Sequence, residues 1–383
     1  MKGRVACCLA LRRLALSRED GEALARLRAE LARVDEVSGR WGEPDLDAAI
    51  LEAAVRVRER LGDSLEVELE YHKSRPPEFE RELDEELEAL VAFLSQAGER
   101  LLAVFGLSTL PGVRQAGDVQ VGPASELAHP DLRAAVGWDD HQLAILIELQ
   151  ARGRLAPRAG IERLREVLGG LYYAAIRAGQ DPGLQPGTPG DIPSGSFVLA
   201  GAATPVSAQV LRCDGLLLLD LQGFSEATYS EFEAVIAHPY GTFAGERVAA
   251  GLSWLQRGID AVSHSESVLA LGVALESVIG DASSHDVMAT LRRRLPFVLL
   301  PDGPPLHRLD VITDAERFYE HRSKVAHGRF SRQEEILPGL DEERRDFARF
   351  VVRTIAGFVS MAEEHGWEDE AAMRRWFELA AVS

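Results

Sequence analysis

Lysine is nearly absent from this chain: Lys2, Lys73 and Lys324 are the only three in 383 residues, and the formal net charge is −19. So acidic a surface excludes a general coat of nucleic acid, because a polyanion is repelled wherever the negative surplus is unbroken. It leaves room for a local cationic site. Cysteine is equally sparse. Cys7, Cys8 and Cys213 are the whole set, two of them adjacent and no pair at zinc-ligand spacing, so buried free thiols are expected rather than a disulfide framework. Long apolar runs are missing too. None approaches the ~18 residues that a bilayer span requires. The apolar opening from Val5 to Leu11 is cut short by Arg12 and Arg13. The expectation is no secretory signal, no membrane partner and a cytoplasmic protein. G-x-x-x-x-G-K-[ST], G-x-G-x-x-G, H-E-x-x-H and G-x-S-x-G do not occur. ATP hydrolysis, dinucleotide redox chemistry and serine hydrolysis therefore lack a motif, and neither a cofactor nor a metal is expected.

What is present is mostly helical pattern. The chain is too long for one typical domain, and its apolar fraction of 46% suffices for a core. The expected fold class is mainly α: a C-terminal antiparallel helical bundle, a mostly helical N-terminal region and a small β patch. Residues 1–180 read as helical. Leu46, Ile50, Ala53, Ala54 and Val57 form one stripe, and Leu83, Leu87, Leu90, Val91 and Leu94 mark a long charged helix over 78–105. Residues 106–137 are rich in Gly and Pro and are left unassigned. Helical pattern is expected again over 139–178. Residues 181–195 hold four prolines and four glycines and read as a linker. A β-rich patch is expected within 196–243, with strands over 196–200 and 206–212, a turn at Asp214 and Gly215, and a return strand over 216–221.

From residue 244 to 365 the apolar stripes describe a bundle. Val248, Leu252, Leu255, Ile259 and Val262 mark its first helix, and Val268, Leu271, Leu275 and Val278 its second. Val287, Met288, Leu291 and Leu295 mark a third that Pro296 is expected to end. Thr313, Asp314, Ala315 and Glu316 read as a capping box opening a fourth helix. Asp341 starts a fifth, carrying Phe347, Phe350, Val351, Ile355, Phe358 and Met361. Residues 366–383 form a C-terminal helix or tail. No internal repeat is visible.

Within the bundle lies a basic island. Residues 291–330 hold eight Lys/Arg and five Asp/Glu, a net of +3 in a strongly acidic chain. At its end stand Arg322 and His327, with Ser323 directly after the arginine and Gly328 after the histidine. An arginine fixes phosphate by charge and paired hydrogen bonds, and a histidine moves protons near neutral pH. Together they are the minimum set for cutting RNA without a metal. Arg322 falls four residues after Phe318 and three before Val325, inside the apolar stripe of its own helix, so it needs a partner or a subunit interface. His327 lies about 140° further round an ideal helix. Two chains related by a twofold axis would close a site that one chain leaves open. The residues alone equally allow a structural role, a snorkelling arginine and a histidine near a Gly328 helix stop.

This stretch resembles the R-x4-6-H signature of HEPN domains. Phe318 and Tyr319 ahead of it, His327 and Gly328 at its end, and Trp254 followed by Ala274, Leu275, Glu276 and Ser277 resemble the Apea-like branch. The resemblance covers roughly residues 245–365. It implies a homodimer whose two motifs line a cleft, and metal-independent endoribonuclease activity of the kind found in prokaryotic defence or toxin systems. Arg322 would bind the scissile phosphate, His327 would act as general base or acid, and cyclic 2′,3′-phosphate ends would result. Glu276 would orient the arginine, with Ser323, Lys324, His321 and Tyr319 in support. The first 240 residues resemble nothing nameable and are expected to sense a trigger, hold the bundle inactive or dock a regulatory partner. Some members of the superfamily are non-catalytic scaffolds or nucleotide-binding modules, and that alternative stays open.

His285 and Asp286 suggest a metal phosphohydrolase only faintly, since no further His/Asp cluster follows in sequence. His264 and His307 lie near the motif region without a pattern of their own, and Trp41, Trp138, Trp254, Trp367 and Trp376 are expected in packing roles.

Overall fold

The structure, a computed structural model, describes residues 7, 10–11, 14–15, 21–33, 43–61, 77–95, 100–107, 112–127, 142–149, 156–179, 196–200, 209–212, 226–237, 242–261, 263–281, 286–301, 303–329 and 340–381. It is mainly helical with a β-sheet, and no helix among the described residues is long and apolar enough to cross a membrane. Two compact units divide the chain. One comprises Met1–Arg100, Glu148–Gly160 and Leu199–Ala208, and the other Leu101–Ile147, Ile161–Val198 and Gln209–Ser383.

The first unit is built on helices α1 (Gly21–Leu31), α2 (Glu43–Leu61) and α3 (Pro77–Ser95). Their stripes bury Leu27, Leu31, Ile50, Ala53, Leu87 and Leu90 in one cluster that also holds Cys7. Burial pushes the Cys7 thiol up from its ordinary value, and Glu30 adds to the rise. Glu86, 1% exposed, is matched by Arg56 at 2.6 Å and Arg60 at 3.3 Å. A buried carboxylate is tolerated where cations meet it.

The helix expected over 78–105 stops at Ser95, and β1 (Arg100–Leu107) follows. Leu101 to Phe105 is a five-residue apolar run between Gly98 and Gly106, the length and punctuation of a buried strand rather than of a helix end. The unassigned residues after it contribute β2 (Arg114–Ala116), β3 (Val119–Pro123) and the single turn α4 (Ala124–Leu127). Gly117 takes φ +59° in the tight turn that pairs Ala116 with Val119. A second correction concerns 139–178: β4 (Gln142–Glu148) precedes helix α5 (Ala156–Arg177). Leu143, Ile145 and Ile147 are spaced by two, the strand period. Beyond them lie β5 (Ser196–Ala200) and β6 (Gln209–Arg212), giving a six-stranded order β2-β3-β4-β1-β5-β6 in which β3 is antiparallel to both β2 and β4. The sheet thus begins far earlier than the expected patch. The expected linker over 181–195, the turn at Asp214 and Gly215 and the strand over 216–221 lie outside the described residues, as do Cys8, Cys213, Trp41, Trp138, Val262 and His285.

Helix α6 (Glu226–Ile236) occupies part of the stretch expected to be β-rich. Tyr229 donates its hydroxyl to the Gln115 carbonyl at 2.8 Å, and Arg163 of α5 grips Asp118 through two nitrogens. These contacts fasten α5 and α6 to the β2–β3 hairpin.

The bundle follows: α7 (Phe243–Asp260), α8 (His264–Ile279), α9 (Val287–Leu299), α10 (Pro305–Ala326), α11 (Leu340–His365) and α12 (Glu370–Ala380). Thr242, Ser263, Asp286 and Asp369 each cap a helix by accepting from the backbone N–H three residues on. Asp286, singled out in the sequence beside His285, is one of these caps. Pro296 does not end α9, which runs three residues further. Nor do Thr313 and Glu316 open α10. The helix begins at Pro305, where a missing N–H is harmless, and the Thr313 hydroxyl bonds back to the Leu309 carbonyl at 3.0 Å. Helix α8 packs on α7, α10 and α11, while α9 packs on α10, α11 and α12. Phe318 of α10 stacks on Phe347 of α11 with ring centroids 4.4 Å apart, which sets the register of those two helices. Trp367 and Trp376 join Phe377 in an aromatic cluster, and Trp254 lies under the Arg257 guanidinium.

Candidate active site on a late helix of the bundle

Helix α10 carries the motif. Arg322 lies on the face turned toward α8, three-quarters buried, its stem laid across Gly272. A Cβ built on Gly272 would meet the Arg322 Cγ at 2.8 Å, so the absence of a side chain there makes room for the arginine. Its Nη2 stands 3.1 Å from Oε1 of Glu276, one helical turn along α8. The expected pairing of Glu276 with Arg322 is present. It is an ion pair rather than an aligned hydrogen bond: Glu276 Oε1 and Arg322 Nε are both buried with no hydrogen-bond partner. Burial pushes the Glu276 carboxyl up and the arginine only partly pulls it back. A pair of this exposure contributes at most about 1 kcal/mol. Tyr319 offers its ring to the guanidinium at 5.6 Å.

His327 is the C-cap residue of α10, and its side chain is exposed. Gly328 takes φ +64°; its N–H bonds to Val325 and that of Arg329 to Lys324, a Schellman stop. Gly328 thus ends the helix just after the histidine, as expected. Arg322 and His327 are five residues apart, about 140° round the helix and about 7.5 Å along its axis. Arg322 faces α8, whereas His327 continues the exposed stripe of Thr313, Arg317, Glu320 and Lys324. One chain does not bring them onto one phosphate. Lys324 reaches back to Glu320 at 2.9 Å on that stripe, and Ser323 accepts the His327 N–H through its carbonyl.

His321 points elsewhere. Its Nδ1 lies 2.9 Å from Oε1 of Glu343 on α11, and its Nε2 lies 3.3 Å from Nε2 of His264 at the start of α8. This cluster was not legible in sequence, since His264 and His321 are 57 residues apart and only the packing of α8, α10 and α11 unites them.

A cavity of about 460 Å3 is lined by Glu276 together with Glu246, Arg247, Asp281 and Thr290. Its charge is mostly negative. Arg247, the one cation in its described lining, donates to the Ser277, Val278 and Gly280 carbonyls at the end of α8, and burial lowers its pKa. This is no seat for a phosphate.

No protein-family model, curated protein or solved structure matches this chain.

Proposed function

We propose that the bundle is a metal-independent endoribonuclease of HEPN type, active as a homodimer. The observation that carries the reading is the pose of Arg322: a guanidinium three-quarters buried, aimed by Glu276 and Gly272, whose Nε has no hydrogen-bond partner. A phosphate with two free oxygens suits such a fork better than one imperfectly aligned carboxylate does. His327 on the exposed stripe is accessible to RNA and to a second copy, and Leu306 and Leu309, 75% and 56% exposed at the start of α10, offer that copy apolar surface.

In the dimer cleft the Arg322 side chains hold the non-bridging oxygens of the scissile phosphate and stabilise the charge that develops there. One His327 removes the proton of the ribose 2′-OH. The 2′-oxygen bonds to phosphorus, the P–O5′ bond breaks, and the partner's His327 returns a proton to the leaving 5′-oxygen. The products are a 2′,3′-cyclic phosphate and a 5′-hydroxyl. The N-terminal region regulates this centre, in response to a trigger or a docked partner. The Arg322–Glu276 ion pair favours a second reading as well: a non-catalytic module in which Glu276 satisfies the arginine and the motif serves a dimer interface.

Labelled RNA incubated with the purified protein in EDTA separates the two. Cleavage should persist in EDTA and fall at least ~100-fold in both Arg322→Ala and His327→Ala. Identical traces from all three proteins would refute the nuclease.

A further inference from the structure

We infer that His264, His321 and Glu343 form a binding site for a divalent transition metal of the zinc class. Each residue offers one ligand atom, and these atoms lie within 4.8 Å of one another. The His264 Nε2–His321 Nε2 separation is 3.3 Å, and Glu343 Oε2 stands 3.8 Å from His264 Nε2. Ligands at roughly 2.0–2.1 Å from a tetrahedral zinc ion are spaced by roughly 3.3 Å, so the two imidazoles are already at coordination distance from each other. Two histidines and one glutamate, with a solvent molecule as fourth ligand, are a donor set that zinc accepts. On capture the Glu343 carboxylate exchanges its contact with His321 Nδ1 for the ion.

The surrounding shell holds these groups in place without a metal, which is the condition for affinity. Ser263 caps α8 directly ahead of His264. Arg344 donates to the Ala261 carbonyl at 2.8 Å and so ties the start of α11, with Glu343, to the α7–α8 link. The Phe318–Phe347 stack lies one turn from both His321 and Glu343 and locks α10 against α11. Side-chain exposure rises from 3% at His264 through 16% at His321 to 27% at Glu343, so a hydrated ion enters from the glutamate side. Bound metal ties α8, α10 and α11 together one residue from Arg322. The inference stands apart from the ribonuclease reading, since it concerns binding and not turnover.

The test uses the full-length protein, stripped with a chelator and dialysed against Zn2+, then against Co2+. Elemental analysis should find one zinc per chain, Co2+ should give the visible absorption of a tetrahedral site, and Zn2+ should raise Tm by several degrees. His321→Gln and Glu343→Gln, at partly exposed positions, should weaken binding at least ~10-fold while their metal-free circular dichroism matches that of the parent. No stoichiometric zinc in the parent, or equal zinc in parent and both folded variants, would overturn the site.

Discussion

Replacing Asp260 with asparagine should make this protein more stable at alkaline pH and change it little in acid. Asp260 ends α7 and is enclosed by Tyr172 of α5, which donates its hydroxyl to Oδ1, and by Gln256, whose amide meets Oδ2. Burial raises the carboxyl from the ordinary 3.8 to about 7, against the opposing pull of those two hydrogen bonds. Burial and the adjacent Asp260 also raise Tyr172 well above its usual value. In the unfolded chain Asp260 loses its proton near pH 4, while the folded protein keeps it until about 7. Between those values the folded state binds the extra proton, so stability falls as pH rises. Three units correspond to about 4 kcal/mol, fully felt above pH 7. An amide of the same shape removes this cost. It still accepts from Tyr172 and donates to Gln256 Oε1, which has no partner in the present arrangement. Urea unfolding of parent and Asp260→Asn at pH 5.5 and 8 should show a variant advantage about 2 kcal/mol larger at the higher pH. Equal differences at the two pH values would refute a neutral buried carboxyl.

Two further predictions concern the frame around the motif. The first is at Arg294, which is fully buried and donates to the Ile279 and Gly280 carbonyls and to Asp281, itself 3% exposed. Arg294→Ala removes the 2.7 Å partner of that carboxylate, leaves Arg374 at 3.3 Å, and should cost about 3 kcal/mol in urea unfolding. Gly357 lets α11 touch α9: a Cβ there would stand 2.1 Å from the Val298 carbonyl oxygen. Gly357→Ala should therefore lower Tm by the equivalent of about 1–3 kcal/mol, overriding the ~1 kcal/mol that alanine usually adds in a helix.

Much of the bundle was readable in advance. Val248, Leu252, Leu255 and Ile259 repeat at helical spacing and are all buried on α7. Helical periodicity fails as a guide at Leu143, Ile145 and Ile147, whose period of two is that of a strand. The capping pattern fails at Thr313, where a cap-like quartet sits inside a helix that Pro305 had already begun. At Pro296 the rule that proline ends a helix was overridden by packing of the following residues, with Val298 buried against α11. Of the candidate site, the sequence points to Arg322, His327 and Glu276, and the structure pairs Glu276 with Arg322 while His327 stands on another face of the helix. The space that Gly272 leaves for the arginine is not legible in sequence, nor is the way His321 turns from the motif toward Glu343.

Helical period, caps and the glycine stop after His327 depend on residues within four or five positions of one another, and these local features were determined by residue order alone. Which face of α10 meets α8, and that His264, His321 and Glu343 converge, was decided by tertiary packing. Those groups are 57 and 22 residues apart, and only the burial of three apolar stripes against one another brings them within reach.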